Sequence, residues 1–181
     1  MVFPVLSVFA DSYYYSTPFL IGMTLGIYGL SNAIMQIPFG ILSDRYGRKK
    51  IILFGLLIFF AGSVICSITD NIYYLILGRA LQGAGAISGV LMALLSDTTS
   101  LKNRTISMAI VGVAIGAAFF SAFILGPIVS KYFNLSGLFT LIVILTLVSI
   151  VIMLTFRYDS RVSHQQFKYE FWDLILNKKL N

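Results

Sequence analysis

Long apolar runs, separated by short polar stretches, make up most of this chain. Five of the runs are long enough to cross a bilayer as helices: residues 19–43, 51–69, 73–96, 105–130 and 136–157. A transmembrane helix needs about 20 apolar residues, because the hydrocarbon core of a bilayer is about 30 Å thick. Charged residues, asparagines and serines interrupt the runs, as is typical of turns. The pattern therefore predicts an all-α membrane protein.

The start of the chain departs from this pattern. Residues 1–10 are apolar but too few to span a bilayer, since a helix rises only about 1.5 Å per residue. We interpret them as part of a truncated first helix. A polar turn follows, and Pro18 suits the first turn of the next helix. Residues 1–157 are therefore predicted to form one transmembrane bundle.

Residues 158–181 are polar and are predicted to be a cytoplasmic linker. Four apolar side chains recur there at helical spacing, with lysines nearby: Phe167, Phe171, Leu174 and Ile175. Such spacing is typical of an amphipathic helix that lies on a membrane surface. A frayed polar tail is the alternative interpretation.

The composition indicates that lipid is the main solvent. Of the 181 residues, 58% are hydrophobic and only 11% are charged, whereas a soluble domain carries about 25% charged residues. A net charge of +6 would suit a nucleic-acid partner, but the basic residues lie in short loops between apolar runs. We therefore expect a lipid bilayer, and no nucleic acid, as the partner of this chain.

The same basic residues predict the orientation of the chain. If the loop at residues 44–50 is cytoplasmic, eleven of the 13 lysines and arginines fall on that side, and only Lys131 lies in an outer loop. An excess of Lys and Arg in cytoplasmic loops is the positive-inside rule. The loop at 44–50 and the C-terminal tail are therefore both predicted to be cytoplasmic.

The loop after the first predicted helix combines small and charged residues: Gly40, Asp44, Arg45, Gly47 and Arg48. Gly40 allows another helix to approach closely, and Gly47 permits a tight turn. Asp44 lies at a helix C-terminus, where the macrodipole disfavours an anion, so it needs a partner such as Arg48. Asp97, at the end of the run at 73–96, is a second acid on the same side.

The sequence of this loop, GILSDRYGRKK from Gly40 to Lys50, resembles the loop motif of the major facilitator superfamily of secondary transporters. The resemblance implies that Asp44, Arg48 and Asp97 form a latch that holds one conformation of the transporter. The alternative is a solvated loop whose charges only set the orientation of the chain.

Arg79 lies inside an apolar run, in ILGRALQGAGA. An arginine within the hydrocarbon costs roughly 2.5–3.5 kcal/mol on insertion scales, so it calls for a partner or a function. Gln82 and Gly83 follow at helical spacing, and the segment resembles a superfamily motif associated with proton coupling. The alternative is that the long side chain snorkels to the outer headgroups.

The run at 105–130 has small residues at four-residue spacing, followed by a proline: Ala118, Ala122, Gly126 and Pro127. Such spacing makes a groove on one helix face, and proline bends a helix. The segment resembles the fifth-helix motif of exporters, although Ala122 replaces a glycine and Ser130 with Lys131 replaces a glycine pair. We interpret the groove as a helix interface, and packing alone also explains it.

Asn32 and Gln36, one helical turn apart, are candidates for a substrate cavity, and hydrogen bonding to a neighbouring helix is the alternative. The sequence shows no nucleophile–base pair, phosphate-binding loop or metal-ligand cluster. We therefore expect neither an enzyme nor a cofactor or metal.

Together the motifs resemble the N-terminal half of a bacterial drug and proton antiporter of the inner membrane. The resemblance implies a six-helix bundle with a truncated first helix, acting with a missing C-terminal six-helix half. It also implies proton-coupled efflux of a small molecule by alternating access. A non-transporting truncated fragment and a membrane scaffold or assembly subunit are the alternatives.

Overall fold

The computed structural model describes residues 13–85 and 87–156, which form five helices. They are α1 (Pro18–Tyr46), α2 (Arg48–Ile68), α3 (Ile72–Ala84), α4 (Ser88–Thr98) and α5 (Arg104–Thr155). Four stretches are long and apolar enough to cross a membrane: α1, α2, Ile72–Thr98 and α5. The prediction of an all-α membrane protein is confirmed. The predicted first helix at 1–10 and the linker helix at 158–181 lie outside the described residues.

The run at 73–96, predicted as one helix, contains a break between α3 and α4. Gly85 ends α3, and its backbone N–H donates a hydrogen bond of 3.1 Å to the Leu81 carbonyl. A Cβ atom on Gly85 would lie 2.7 Å from the carbonyl oxygen of Gly55, so the absent side chain allows α2 to pass close by. The predicted run at 73–96 corresponds to the membrane-spanning stretch Ile72–Thr98, and the pattern of apolar residues does not indicate its division into two helices.

Helix α5 is interrupted at Asn134, whose φ of 57° and ψ of −170° are not helical. Ser136 donates a hydrogen bond to the carbonyl of Ser67, near the end of α2. The Leu154 carbonyl accepts a hydrogen bond from Lys49, near the start of α2. Residues 135–155 therefore run antiparallel to α2. This reversal agrees with the two separate runs predicted at 105–130 and 136–157.

Two apolar clusters form the core, one at each end of the bundle. The tyrosine-end cluster lies near Tyr13 and consists of Tyr13, Ile21, Cys66, Ile72, Leu75, Leu135, Leu138 and Phe139. The loop-end cluster lies near the 44–50 loop and consists of Phe39, Ile51, Ile52, Leu56, Val90, Leu94 and Met153. Buried polar side chains lie between the clusters along the helices: Thr24, Ser63, Arg79 and Gln82.

Glycines bring α2 and α3 into close contact. A Cβ atom on Gly62 would lie 2.6 Å from the Gly78 carbonyl oxygen, and one on Gly78 would lie 2.9 Å from the Gly62 carbonyl oxygen. By contrast, no described atom lies within 4 Å of a Cβ built on Gly22 or Gly26. Close packing of α2 and α3 therefore depends on Gly62 and Gly78, which belong to none of the motifs described above.

Candidate transport site

The three charged residues of the predicted latch lie together at one end of the bundle. Arg48 Nη1 lies 2.5 Å from Asp44 Oδ1, and Arg48 Nε lies 3.0 Å from Asp97 Oδ2. Arg48 Nη1 also donates to Ser43 Oγ at 2.6 Å. One guanidinium at the start of α2 thus connects the last turn of α1 with the last turn of α4.

The exposure of the two acids limits the strength of this cluster. The Asp44 side chain is 60% exposed and that of Asp97 is 26% exposed. Ion pairs at such sites contribute about 0–1 kcal/mol each, because water screens the charges. The pairs are therefore weak enough to open and close reversibly.

The other predicted residues of this loop have different surroundings. Gly47 has a φ of 96°, a left-handed value that favours glycine, and it allows the sharp turn from α1 into α2. No described atom lies within 4 Å of a Cβ built on Gly40, so no described helix makes the predicted close approach there. Among the described residues, Arg45 makes no ion pair.

Lys49 forms a contact that the sequence did not indicate. Its Nζ donates hydrogen bonds of 3.1 Å and 2.6 Å to the carbonyl oxygens of Leu154 and Phe156. The last carbonyls of a helix have no partners within the helix, and a cation is favourable near them. Lys49 therefore caps the end of α5, so adjacent residues of α2 contact the ends of α4 and α5.

Arg79 lies inside the bundle, with only 3% of the residue exposed, so the snorkelling interpretation was wrong. Its Nη1 donates to Gln82 Oε1 at 2.9 Å, and its Nε donates to the Thr24 carbonyl at 3.4 Å. Its Cζ lies 4.4 Å from the centre of the Tyr28 ring, within the range of a cation–π interaction. The guanidinium therefore joins α3 to α1.

The polar contacts continue from Gln82 into α2. Gln82 Nε2 donates to Ser63 Oγ at 2.8 Å, and Ser63 Oγ donates to the Phe59 carbonyl at 2.7 Å. Gln82 is 1% exposed and Ser63 is fully buried. The resulting chain of hydrogen bonds crosses three helices in the layer between the two apolar clusters.

Gly83 allows α3 to approach α1 beside Arg79. The atom nearest to a Cβ built on Gly83 is the carbonyl oxygen of Tyr28, and the contact would be too short for any side chain. The small residue predicted at this position is therefore required by the backbone of Tyr28.

A cavity of about 560 Å³ adjoins this polar layer. Asn32 and Gln36, the predicted cavity residues, both line it, together with Tyr28, Gln82, Ser88 and Thr146. Gln36 Nε2 also lies 3.5 Å from Ser88 Oγ on α4, so both interpretations of Gln36 apply. None of the described residues that line the cavity is charged. The volume of the cavity is typical of a site for a small molecule.

The predicted interface residues of α5 fall into two groups. Ala122 and Gly126 are buried, whereas Ala118 and Pro127 are exposed. Pro127 lies inside the helix, and the non-helical backbone within α5 is at Asn134. Much of the arm at 104–128 is exposed, so these residues make few contacts with the described helices.

A family model for the Major Facilitator Superfamily matches residues 1–171 of this chain. The chain belongs to the Major Facilitator Superfamily. This membership confirms the resemblance drawn from the loop motif, because the matched family is a superfamily of membrane transporters, which are not enzymes.

Curated proteins of the Major Facilitator Superfamily are similar to this chain. It is 50% identical over 152 residues to the inner membrane transport protein YajR of Escherichia coli K12, an alignment that covers 84% of this chain and 34% of YajR. It is 47% identical over 152 residues to an uncharacterized transporter of Buchnera aphidicola subsp. Schizaphis graminum, covering 84% of this chain and 39% of that protein. Over 96 residues it is 34% identical to the MFS-type efflux pump MMF1 of Mycosarcoma maydis, covering 52% of this chain and 16% of MMF1. The chain thus spans well under half the length of these relatives.

Sequence reasoning missed four residues of the site: Thr24, Tyr28, Lys49 and Ser63. Tyr28 and Ser63 lie in apolar runs, where an aromatic ring or a small hydroxyl is an ordinary residue. Thr24 accepts the hydrogen bond from Arg79 through its backbone carbonyl, so the identity of its side chain does not indicate this contact. Lys49 belongs to the loop motif and to the cytoplasmic cations, but neither property indicates its contact with the end of α5.

Proposed function

We propose that this chain takes part in proton-coupled efflux of small molecules by alternating access. In such transporters two helix bundles rock against each other around a site near the middle of the membrane. The chain supplies one bundle, and a second six-helix bundle supplies the opposing wall. Similarity to MMF1, an efflux pump, supports the direction of transport, and similarity to YajR, an inner membrane transport protein, supports a bacterial inner membrane. The basic residues of the 44–50 loop support its cytoplasmic side.

The observation that carries the proposal is the bridge of Arg48 to both Asp44 and Asp97. It holds the ends of α1 and α4 together at a single face of the bundle. Two exposed pairs contribute about 0–2 kcal/mol in total. The upper half of this range, about 1–2 kcal/mol, changes an equilibrium roughly 5- to 30-fold, which suits a latch that must open in every transport cycle.

The buried Arg79 supports the proposed proton coupling. A charged side chain inside a membrane bundle is costly and is typical of ion pathways. Arg79 with Gln82 and Gly83 connects α3 to α1 and borders the cavity through its partners. Proton uptake near this guanidinium is thus able to influence a cargo held in the cavity.

The exposed part of α5 supports an opposing bundle. Ala118 and Pro127 face away from the described helices. Together with the buried Ala122 and Gly126, they provide small residues along a helix that is free to contact a further helix. We propose that the C-terminal half packs on this arm.

The proposal is tested by substituting the latch in the full-length transporter. Asp44→Asn and Asp97→Asn each remove one ion pair to Arg48, whereas Arg45→Gln removes a neighbouring charge that makes no ion pair among the described residues. We expect both aspartate variants to lower proton-driven efflux of ethidium from energised cells about tenfold at unchanged expression, and Arg45→Gln to change it less than twofold.

Two outcomes would overturn the proposal. If the wild-type protein shows no efflux that collapses with the proton gradient, across ethidium and a panel of uncharged dyes, proton-driven efflux is wrong. If the wild type transports and Asp44→Asn transports equally well, the latch is wrong and the charges set only the orientation of the chain.

A further inference from the structure

Ser43 is the most buried of the side chains that Arg48 contacts among the described residues. Its hydroxyl accepts a hydrogen bond of 2.6 Å from Arg48 Nη1. Ser43 is 1% exposed, whereas the side chains of Asp44 and Asp97 are 60% and 26% exposed. Water competes for the arginine at both acids but has little access to the serine, so the contact with Ser43 is the least screened of the three.

The hydroxyl of Ser43 is held in the direction that suits an acceptor. It donates its one hydrogen to the Gly40 carbonyl at 2.7 Å, so its oxygen presents lone pairs to Arg48. The backbone carbonyl of Ser43 accepts a hydrogen bond of 3.1 Å from the Gly47 N–H. Both the side chain and the backbone of Ser43 are therefore fixed by the end of α1 and by the turn that follows it.

The position of Nη1 restricts where the rest of the Arg48 guanidinium points. This group is planar, and its donors form a rigid fork, so fixing one nitrogen limits the directions of the others. The two hydrogens of Nη1 reach Ser43 Oγ and Asp44 Oδ1, and the hydrogen of Nε reaches Asp97 Oδ2 at 3.0 Å. Contact with α1 at Nη1 thus leaves Nε directed at α4.

We propose that Ser43 is a positioning residue that orients Arg48 toward Asp97. An exposed carboxylate such as Asp44 is a weak guide, because water screens it and the long arginine side chain loses entropy when it is held in one geometry. The buried hydroxyl sets the direction of the guanidinium, and the two acids supply the opposite charge. This inference rests on the proposed latch, and it identifies an uncharged residue on which that latch depends.

The orientation of Arg48 is measured through its chemical reactivity, which does not require transport. The full-length transporter in detergent micelles is treated with butanedione, which modifies accessible arginine side chains. Mass spectrometry then gives the rate at Arg48, whose side chain is 14% exposed, relative to the rate at the exposed Arg45. Because both arginines belong to the same molecule, differences in reagent or detergent cancel.

Two variants separate orientation from a general loosening of the bundle. Ser43→Ala removes the acceptor and is expected to raise the relative rate at Arg48 roughly fivefold. Ser67→Ala is the matched control: its hydroxyl also bonds to the carbonyl three residues earlier, that of Val64, and it contacts no charged group among the described residues. It is expected to leave the rate at Arg48 unchanged. An unchanged rate in Ser43→Ala, or an equal increase in Ser67→Ala, would overturn the inference.

Proton-driven efflux then tests whether this orientation serves the latch. If Ser43 acts through the pair between Arg48 and Asp97, Ser43→Ala lowers efflux severalfold on its own but has little further effect when Asp97→Asn is already present. Two independent structural losses would instead multiply. Efflux of the double variant at the product of the two single effects would therefore also overturn the inference.

The two measurements distinguish this inference from the proposed function. If the reactivity at Arg48 rises as expected while neither Ser43→Ala nor Asp97→Asn alters efflux, the orientation by Ser43 stands and the latch fails. If Asp97→Asn lowers efflux while the reactivity in Ser43→Ala stays at the wild-type value, the latch stands and the orientation by Ser43 fails.

Discussion

Replacing Gly62 with alanine inserts a methyl group where α2 and α3 are in closest contact. The new Cβ would lie 2.6 Å from the Gly78 carbonyl oxygen and 2.7 Å from the Gln82 backbone nitrogen. Both neighbours are backbone atoms, so no flexible side chain is able to yield. The helices must separate by several tenths of an ångström to restore van der Waals contact.

The energetic cost follows from two opposing contributions. Overpacking of a well-packed interface costs about 1–3 kcal/mol, whereas replacing glycine by alanine inside a helix gains about 0.5–1 kcal/mol. Gly62→Ala is therefore expected to lower the free energy of unfolding by roughly 0–2.5 kcal/mol, with a central value of about 1 kcal/mol. Gly26→Ala is the matched control, since no described atom lies within 4 Å of its new Cβ, and only the helix-propensity gain remains.

Unfolding of the two variants by SDS in mixed micelles, followed by far-UV circular dichroism, measures this difference. We expect Gly62→Ala to unfold at a lower mole fraction of SDS than the wild type and Gly26→Ala at an equal or higher one. Equal stability of the two variants would refute the idea that the glycine contact sets the spacing of α2 and α3.

Two further changes test the C-terminal end of α5 and its interruption at Asn134. Lys49→Met removes the two hydrogen bonds to Leu154 and Phe156 and is expected to speed amide hydrogen exchange in the last turn of α5 severalfold. Lys50→Met, at the next position in the sequence, is not expected to change this exchange. Equal acceleration in both variants would contradict the capping role of Lys49. The backbone conformation of Asn134 costs about 1–3 kcal/mol for a residue with a side chain. Asn134→Gly should therefore raise the free energy of unfolding, and Asn134→Val should lower it. The reverse order in thermal melts would exclude strain at this turn.

The sequence predicted the features that the membrane itself imposes. Apolar runs must match the thickness of the hydrocarbon, so their length alone located the spanning segments. The meeting of Arg48 with Asp97 was also predictable, because Arg48 begins one segment and Asp97 ends another on the same side of the bundle. In both cases the bilayer, through its thickness or its two sides, determined the feature, and the packing of side chains did not.

The contacts between helices could not be predicted in the same way. A helix surrounded by lipid and by other apolar helices has no strong polar face, so its rotation about its own axis is not apparent from the pattern. The meeting of Arg79 with the Thr24 carbonyl, 55 positions away, depends on that rotation. For the same reason the sequence does not show that Gly62 and Gly78, rather than Gly22 and Gly26, form a close contact between helices.

The first turn of α2 has an unusual electrostatic character. It contains three successive cations, Arg48, Lys49 and Lys50, with no acidic residue and no side-chain cap at Gly47. A helix N-terminus carries a partial positive charge, so each of these cations is unfavourable there by about 0.3–1 kcal/mol. Asp44, Asp97 and the α5 carbonyls offset part of this cost. We expect separation of these partners to unwind the start of α2. In Asp97→Asn this unwinding would be visible as faster amide exchange at 48–51. The same cations that hold this end of the bundle closed therefore also favour its opening.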